Sequence, residues 1–121
     1  MRGIWVTGGL VIAALVVSAP AEAVLASPAR LQVSATEFGF TLSRLQIKRG
    51  PAIVELVNRG QDAHDLRLRR IGGTKVWKLP RTPPGDRARL AASFAAGTFR
   101  LWCSLPGHRL AGMRTTLRVI R

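Results

Sequence analysis

The sequence holds one cysteine, two histidines and, besides the initiator, one methionine: Cys103, His64, His108 and Met113. Three of these lie in one run, Cys103-Ser104-Leu105-Pro106-Gly107-His108-Arg109-Leu110-Ala111-Gly112-Met113, a C-x4-H-x4-M spacing. Taken singly, each has an ordinary reading. An inward cysteine is usually a small core hydrophobe, and a strand-end histidine or a lone methionine is usually structural. Taken together, two imidazoles, one thiolate and a weak thioether are the donor set of a mononuclear blue-copper site. Thiolate and imidazole hold Cu(II), and the soft sulfurs also accept Cu(I). Ligands fixed by a fold let the metal change oxidation state with little rearrangement.

Other chemistries use the residues less completely. Cys103 and His108 could form a thiolate–imidazolium pair oriented by Asp65, but His64 and Met113 would then be idle. Zinc finds only three good ligands here. One cysteine excludes an intrachain disulfide and any site needing two thiolates. Two histidines are too few for the clusters of a multicopper oxidase, so the chain is expected not to be an enzyme.

Side chains can act together only if strands bring them to one place. Period-two alternation recurs from residue 31 onward, one buried face against one wet face. Leu31, Val33 and Ala35 share a face, as do Leu45 and Ile47, then Ala52, Val54 and Leu56. Leu66 and Leu68 follow, then Ala88, Leu90, Ala92 and Phe94, then Phe99 and Leu101, then Leu117 and Val119. Turn signals separate the runs, among them Arg49-Gly50-Pro51, Asn58-Arg59-Gly60, Ile71-Gly72-Gly73 and Ala96-Gly97. Seven or eight short strands imply an all-β sandwich over residues 31–121. Residues 71–86 read as a loop with one short strand. His64 is in phase with Leu66, Cys103 with Leu101 and Met113 with Leu117, so all three point inward at strand ends. His108 falls on the loop between the last two strands.

The N-terminus is a different kind of segment. Arg2 precedes an apolar run from Ile4 to Ala19, followed by Ala21-Glu22-Ala23, a small-x-small pattern. Residues 1–23 read as a secretory signal peptide, with an uncleaved membrane anchor as the rival. Residues 24–30 read as a linker. Export to a periplasmic or extracellular space places the lone thiol in an oxidising compartment, where it needs protection.

The net charge is +13, from 19 Lys+Arg against 6 Asp+Glu. Removing residues 1–23 leaves it unchanged, because Arg2 and Glu22 leave together. Many of the arginines fall on predicted wet faces, including Arg67, Arg69, Arg87, Arg89, Arg100 and Arg118. Such a surface would steer the chain toward an acidic redox partner, or hold it on an anionic membrane or envelope surface. Nucleic acid is not expected, since no aromatic platform is evident.

The run from Cys103 to Met113 resembles the C-terminal ligand loop of the cupredoxins. It is most similar to the azurin and auracyanin style, where four residues separate Cys and His and Pro-Gly precedes the His. Plastocyanins resemble it in the H-x4-M half. Gly97-Thr98-Phe99-Arg100-Leu101-Trp102-Cys103 is similar to the family's penultimate strand, and Asn58-Arg59-Gly60 before His64 to its first-histidine loop. The resemblance implies a Greek-key sandwich binding one copper ion. His64 and His108 would bind through ring nitrogens, Cys103 through its thiolate, and Met113 weakly along the axis. The Ala63 carbonyl would be a distant axial neighbour. Asp65 stands where the family usually has Asn, so it could accept from the Ser104 hydroxyl but not donate as an amide would. Leu105 stands where an aromatic is frequent. The resemblance further implies a monomeric carrier of single electrons, passing them through the exposed edge of His108 within an apolar patch of Leu105, Pro106, Leu110 and Ala111. A copper carrier or tolerance factor would share these ligands, and a copper-free interaction module would share only the fold.

Overall fold

Among the described residues the chain forms nine strands and one helical turn. The strands are β1 (Ala29–Thr36), β2 (Gly39–Leu42), β3 (Gln46–Lys48), β4 (Gly50–Asn58), β5 (His64–Arg70), β6 (Val76–Thr82), β7 (Arg87–Phe94), β8 (Gly97–Trp102) and β9 (Arg114–Ile120). The turn, α1 (His108–Ala111), lies between the last two. The computed structural model describes residues 1–18 and 27–121.

The strands form two sheets, ordered β2-β1-β4-β7 and β3-β9-β8-β5-β6. The chain crosses repeatedly between them, giving a Greek-key β-sandwich. β1 runs parallel to β4 and β3 parallel to β9, while the other neighbours are antiparallel. The inward face of β1 and β4 supplies Leu31, Val33, Val54 and Leu56, and the opposite sheet answers with Leu66, Leu68, Phe99, Leu101 and Leu117. Fully burying one such side chain stabilises the fold by about 1.5–3 kcal/mol.

Two strands exceed what the alternation alone suggests. β2 is short, and it forms because the hairpin after Thr36 sets it antiparallel to β1. β6 covers seven residues of the segment read as mostly loop. Its Pro80 is tolerated because β6 is the edge of its sheet, where no outer neighbour needs the missing N–H. Trp77 on β6 stands edge-on to Phe94, with ring centroids 5.1 Å apart, and near Phe99 at 5.8 Å. Leu45 departs from its expected inward face. β3 begins only at Gln46, leaving Leu45 78% exposed and Ile47 as that strand's buried residue.

Residues 1–18 form neither helix nor strand, and the large apolar side chains of Ile4, Trp5, Leu10 and Leu15 are exposed. Among the described residues no helix is long and apolar enough to cross a membrane. The small-x-small stretch Ala21-Glu22-Ala23 lies outside the described residues.

The loop leading into His64 is organised by Asn58, which is buried. Its side-chain amide donates to the carbonyls of Asp62 (2.7 Å) and Thr82 (2.9 Å). Its oxygen accepts from the Gly60 N–H at 2.9 Å. Asn58→Ala would strand these backbone groups, so chemical denaturation is expected to show a loss of about 2 kcal/mol.

Candidate metal centre

The ladder between β5 and β8 places the two buried donors side by side. It pairs Leu68 with Leu101 and Arg67 with Trp102, then ends. Beyond that point His64 begins one strand and Cys103 follows the other. A bulge between His64 and Leu66 on the β6 side keeps His64, Asp65 and Leu66 all buried. Asp65, counted on the wet face by strict alternation, is therefore only 3% exposed. Its carboxylate accepts from the Ser104 N–H at 2.6 Å and, by a short hydrogen bond, from the Ser104 hydroxyl. The expected acceptor role is thus filled twice, and the two ligand-bearing strand ends are tied together. Arg67 Nε lies 3.5 Å from the same carboxylate.

The loop from Cys103 to Met113 closes through its own backbone. Gly107, with φ of 79°, turns the chain into α1. The His108 carbonyl accepts from the Met113 N–H (3.1 Å), and the Met113 carbonyl from the Cys103 N–H (3.1 Å). Met113 is fully buried beside these residues. Gly112 is held against the β1–β2 turn, where an added Cβ would come 2.9 Å from the Phe38 carbonyl. Its φ of 125° also favours glycine.

The structure brings His64, Cys103 and His108 into one group, with their donor atoms all within 4.8 Å of one another. His64 Nδ1 lies 3.2 Å from His108 Nδ1, and Cys103 Sγ lies 3.6 Å from His108 Nδ1. Donors bonding one transition-metal ion at about 2.0 Å (nitrogen) and about 2.3 Å (sulfur) stand roughly this far apart at near-tetrahedral angles, so both separations fit a single ion. Met113 is placed at the same strand ends by its backbone bonds to His108 and Cys103. His64 and Cys103 are fully buried, while His108 is half-buried and forms the exposed side of the group. Burial is the main force on the Cys103 thiol and raises its pKa, opposed by backbone hydrogen bonding.

Two further residues touch the group, and both come from the β1–β2 turn. Glu37 Oε1 lies 3.1 Å from His64 Nε2 and accepts from the backbone N–H groups of Gln61 (2.8 Å) and Asp62 (2.7 Å). The bond from Asp62 is the largest influence and lowers the Glu37 pKa, so the group is a carboxylate at neutral pH. A carboxylate can only accept there, so it favours the His64 tautomer that donates from Nε2–H and leaves the Nδ1 lone pair facing His108 and Cys103. A Cβ at Gly60 would meet the Glu37 carboxylate and push it from its present position. Phe38 meets the His108 ring edge-on at 5.0 Å. No local pattern marks either residue as functional. Glu37 and His64 are 27 positions apart, and only the tertiary fold brings them together.

No protein-family model and no curated protein matches the sequence. Among solved structures, the fold is shared with a dithionite-reduced auracyanin from the photosynthetic bacterium Roseiflexus castenholzii, at a TM-score of 0.64 and 13% identity over 79% of this chain and 100% of that one. Auracyanin A, a blue copper protein from Chloroflexus aurantiacus, superposes with a TM-score of 0.62 and 15% identity, over 77% and 99% of the two chains. An amicyanin variant in its reduced Cu(I) form gives 0.57 and 22%, over 80% and 87%. At these identities the likeness is one of fold. Residues 29–121 thus form a cupredoxin-fold sandwich, carrying at its strand ends a His-Cys-His group able to hold one copper ion.

Proposed function

We propose that the chain is an exported carrier of single electrons that holds one copper ion at His64, Cys103, His108 and Met113. The observation that carries this reading is the buried His-Cys-His triangle at the strand ends of a cupredoxin-fold sandwich. When bound, copper supplies a one-electron couple. The protein's own residues do the rest. The two sheets fix the donors, Asp65 and Ser104 hold the ligand strands together, and Glu37 sets the tautomer of His64. His108 presents its ring toward solvent beside Leu105, Pro106, Leu110, Ala111 and Phe38, a small apolar rim for brief docking. An acidic redox protein is the proposed partner there, with Arg109 beside His108 contributing to steering. We propose export on the strength of the basic start and apolar run of residues 1–19. With the one Cys and both His in a single group, no thiolate or imidazole is left for a second metal site, which favours a carrier over an enzyme.

Copper titration of the metal-free chain is the direct test. An intense visible sulfur-to-copper charge-transfer band is expected at one ion per chain, and Cys103→Ser is expected to abolish it. No band in the wild-type chain would sink the reading. Transfer of the ion to a chelating acceptor on mixing would instead indicate a copper carrier.

The raised thiol pKa sets the pH dependence of uptake. The metal-free thiol keeps its proton at neutral pH, and binding must displace it. Copper affinity is expected to rise by roughly tenfold per pH unit from neutral to mildly alkaline pH, releasing about one proton per ion from the thiol. Calorimetry in buffers of different ionisation heat would measure that proton. In the metal-free fold, the stability linked to this group is complete below the ordinary thiol pKa. It is lost as pH rises through the elevated value.

Glu37→Gln keeps a hydrogen-bond acceptor beside His64 but removes the negative charge. Because that charge favours the more positive oxidised site, its removal is expected to raise the reduction potential, with a smaller shift in high salt because Glu37 is exposed. Voltammetry of the two forms would check it.

A further inference from the structure

The two sheets present very different outer faces. On the four-stranded sheet Glu55 sits among the cations. It accepts from Arg87 at 2.9 Å and lies directly opposite Arg89 on the neighbouring strand. On the five-stranded sheet the outward positions of β5, β6, β8 and β9 carry Arg67, Arg69, Lys78, Arg100, Arg114 and Arg118. The carboxylate among these strands is Asp65, which is buried and committed to Ser104. Among the described residues, none of Arg69, Lys78, Arg100, Arg114 and Arg118 has a carboxylate within salt-bridge distance.

The pairing of these cations is unfavourable to folding. Arg69 lies directly opposite Arg100, and Arg67 directly opposite Lys78. Like charges facing one another across a ladder destabilise a sheet. A sandwich built for stability alone would place threonine or glutamate at one member of each pair. Departures from local consistency of this kind are expected where a surface serves binding.

The face also has a defined receptacle. A groove of about 450 Å³ is lined by Arg100, Arg109, Arg114, Thr115, Thr116 and Ile71, with Leu101 completing it. Three guanidinium groups and two threonines line it, with no acidic side chain. The groove is continuous with the ligand loop, because Arg109 follows His108 and its guanidinium lies over the Trp102 ring at 5.0 Å. Trp102 in turn precedes Cys103 in the chain.

We propose that this groove and the surrounding arginine face form a docking site for a carboxylate-rich segment of an acidic redox protein. The planar fork of arginine matches a carboxylate with two parallel hydrogen bonds, and Thr115 and Thr116 add hydroxyl donors. Binding also relieves the repulsion between Arg69 and Arg100. The choice of a redox protein as occupant rests on the electron-carrier reading. A carrier needs a partner that presents a redox group near His108, and a lipid surface presents none. The site extends docking from the apolar rim around His108 onto the flank of the five-stranded sheet.

The test uses the full chain, with and without copper, and a fluorescein-labelled polyglutamate peptide followed by anisotropy. Binding is expected at low ionic strength and should weaken steeply with added salt. Arg100→Thr/Arg114→Thr is expected to weaken it by about tenfold. Arg87→Gln/Arg89→Gln removes the same charge from the opposite sheet and is expected to change binding by less than about twofold. Thermal melting of Arg100→Thr/Arg114→Thr should show a Tm no lower than wild type, since a repulsive pair has been removed. Equal losses in the two double variants would overturn the site in favour of bulk charge, as would undiminished binding by the groove variant. Adsorption to phosphatidylglycerol–phosphatidylcholine vesicles that depends on Arg100 and Arg114, without peptide binding, would overturn the protein partner in favour of a membrane. If the wild-type chain takes up no copper yet still binds the peptide, the electron-carrier reading falls while the acidic docking site stands.

Discussion

Two hydrogen bonds from Ser104 to the Asp65 carboxylate hold the site together where the regular ladder stops. Up to Arg67 and Trp102, backbone pairing between β5 and β8 fixes the distance between the strands. One step further the strands must part so that an imidazole and a thiol can both turn inward. Without another tie, those ends would fray and the donors would drift apart. The Asp65 carboxylate supplies the tie, and burial gives its hydrogen bonds more weight than they would have in water. The spacing of the His64 and Cys103 strand ends depends on this clasp, and the loop that closes through its own backbone starts from there.

Much of this architecture is legible from residue phase. Alternation places His64, Cys103 and Met113 on the inward face, and the structure finds all three buried at neighbouring strand ends. The same rule places the arginines on wet faces. What escapes it is everything created by a break in periodicity. The bulge after His64 buries Asp65 against the count of two. The edge position of β6 makes a strand of a proline-bearing segment. Leu45 falls outside a strand too short to include it. Glu37 and Phe38 sit in a hairpin turn whose partners lie across the fold, and no neighbour in sequence signals those contacts.

The two sheets of this small fold distribute their charge differently. The four-stranded sheet offsets its cations with Glu55, as a surface serving only solubility would. The five-stranded sheet instead lines up cations across β5, β6 and β8, and accepts the repulsion. The core beneath is all apolar and continuous, which lets the fold tolerate that load. The burden falls on the sheet that carries the cysteine and the first histidine. The unpaired cations and the His-Cys-His group therefore share a wall of the sandwich.

The contact between Gly112 and the Phe38 carbonyl has a consequence for modular engineering of this scaffold. The ligand loop is not a self-contained cassette bounded by Cys103 and Met113. Its far end is shaped to a hairpin from the opposite sheet, and that hairpin also delivers Glu37 to one histidine and Phe38 to the other. A loop transplanted from another sandwich would arrive with a side chain where only glycine fits, unless the hairpin moved with it. The natural unit of exchange is the pair, two segments separated by more than sixty residues along the chain.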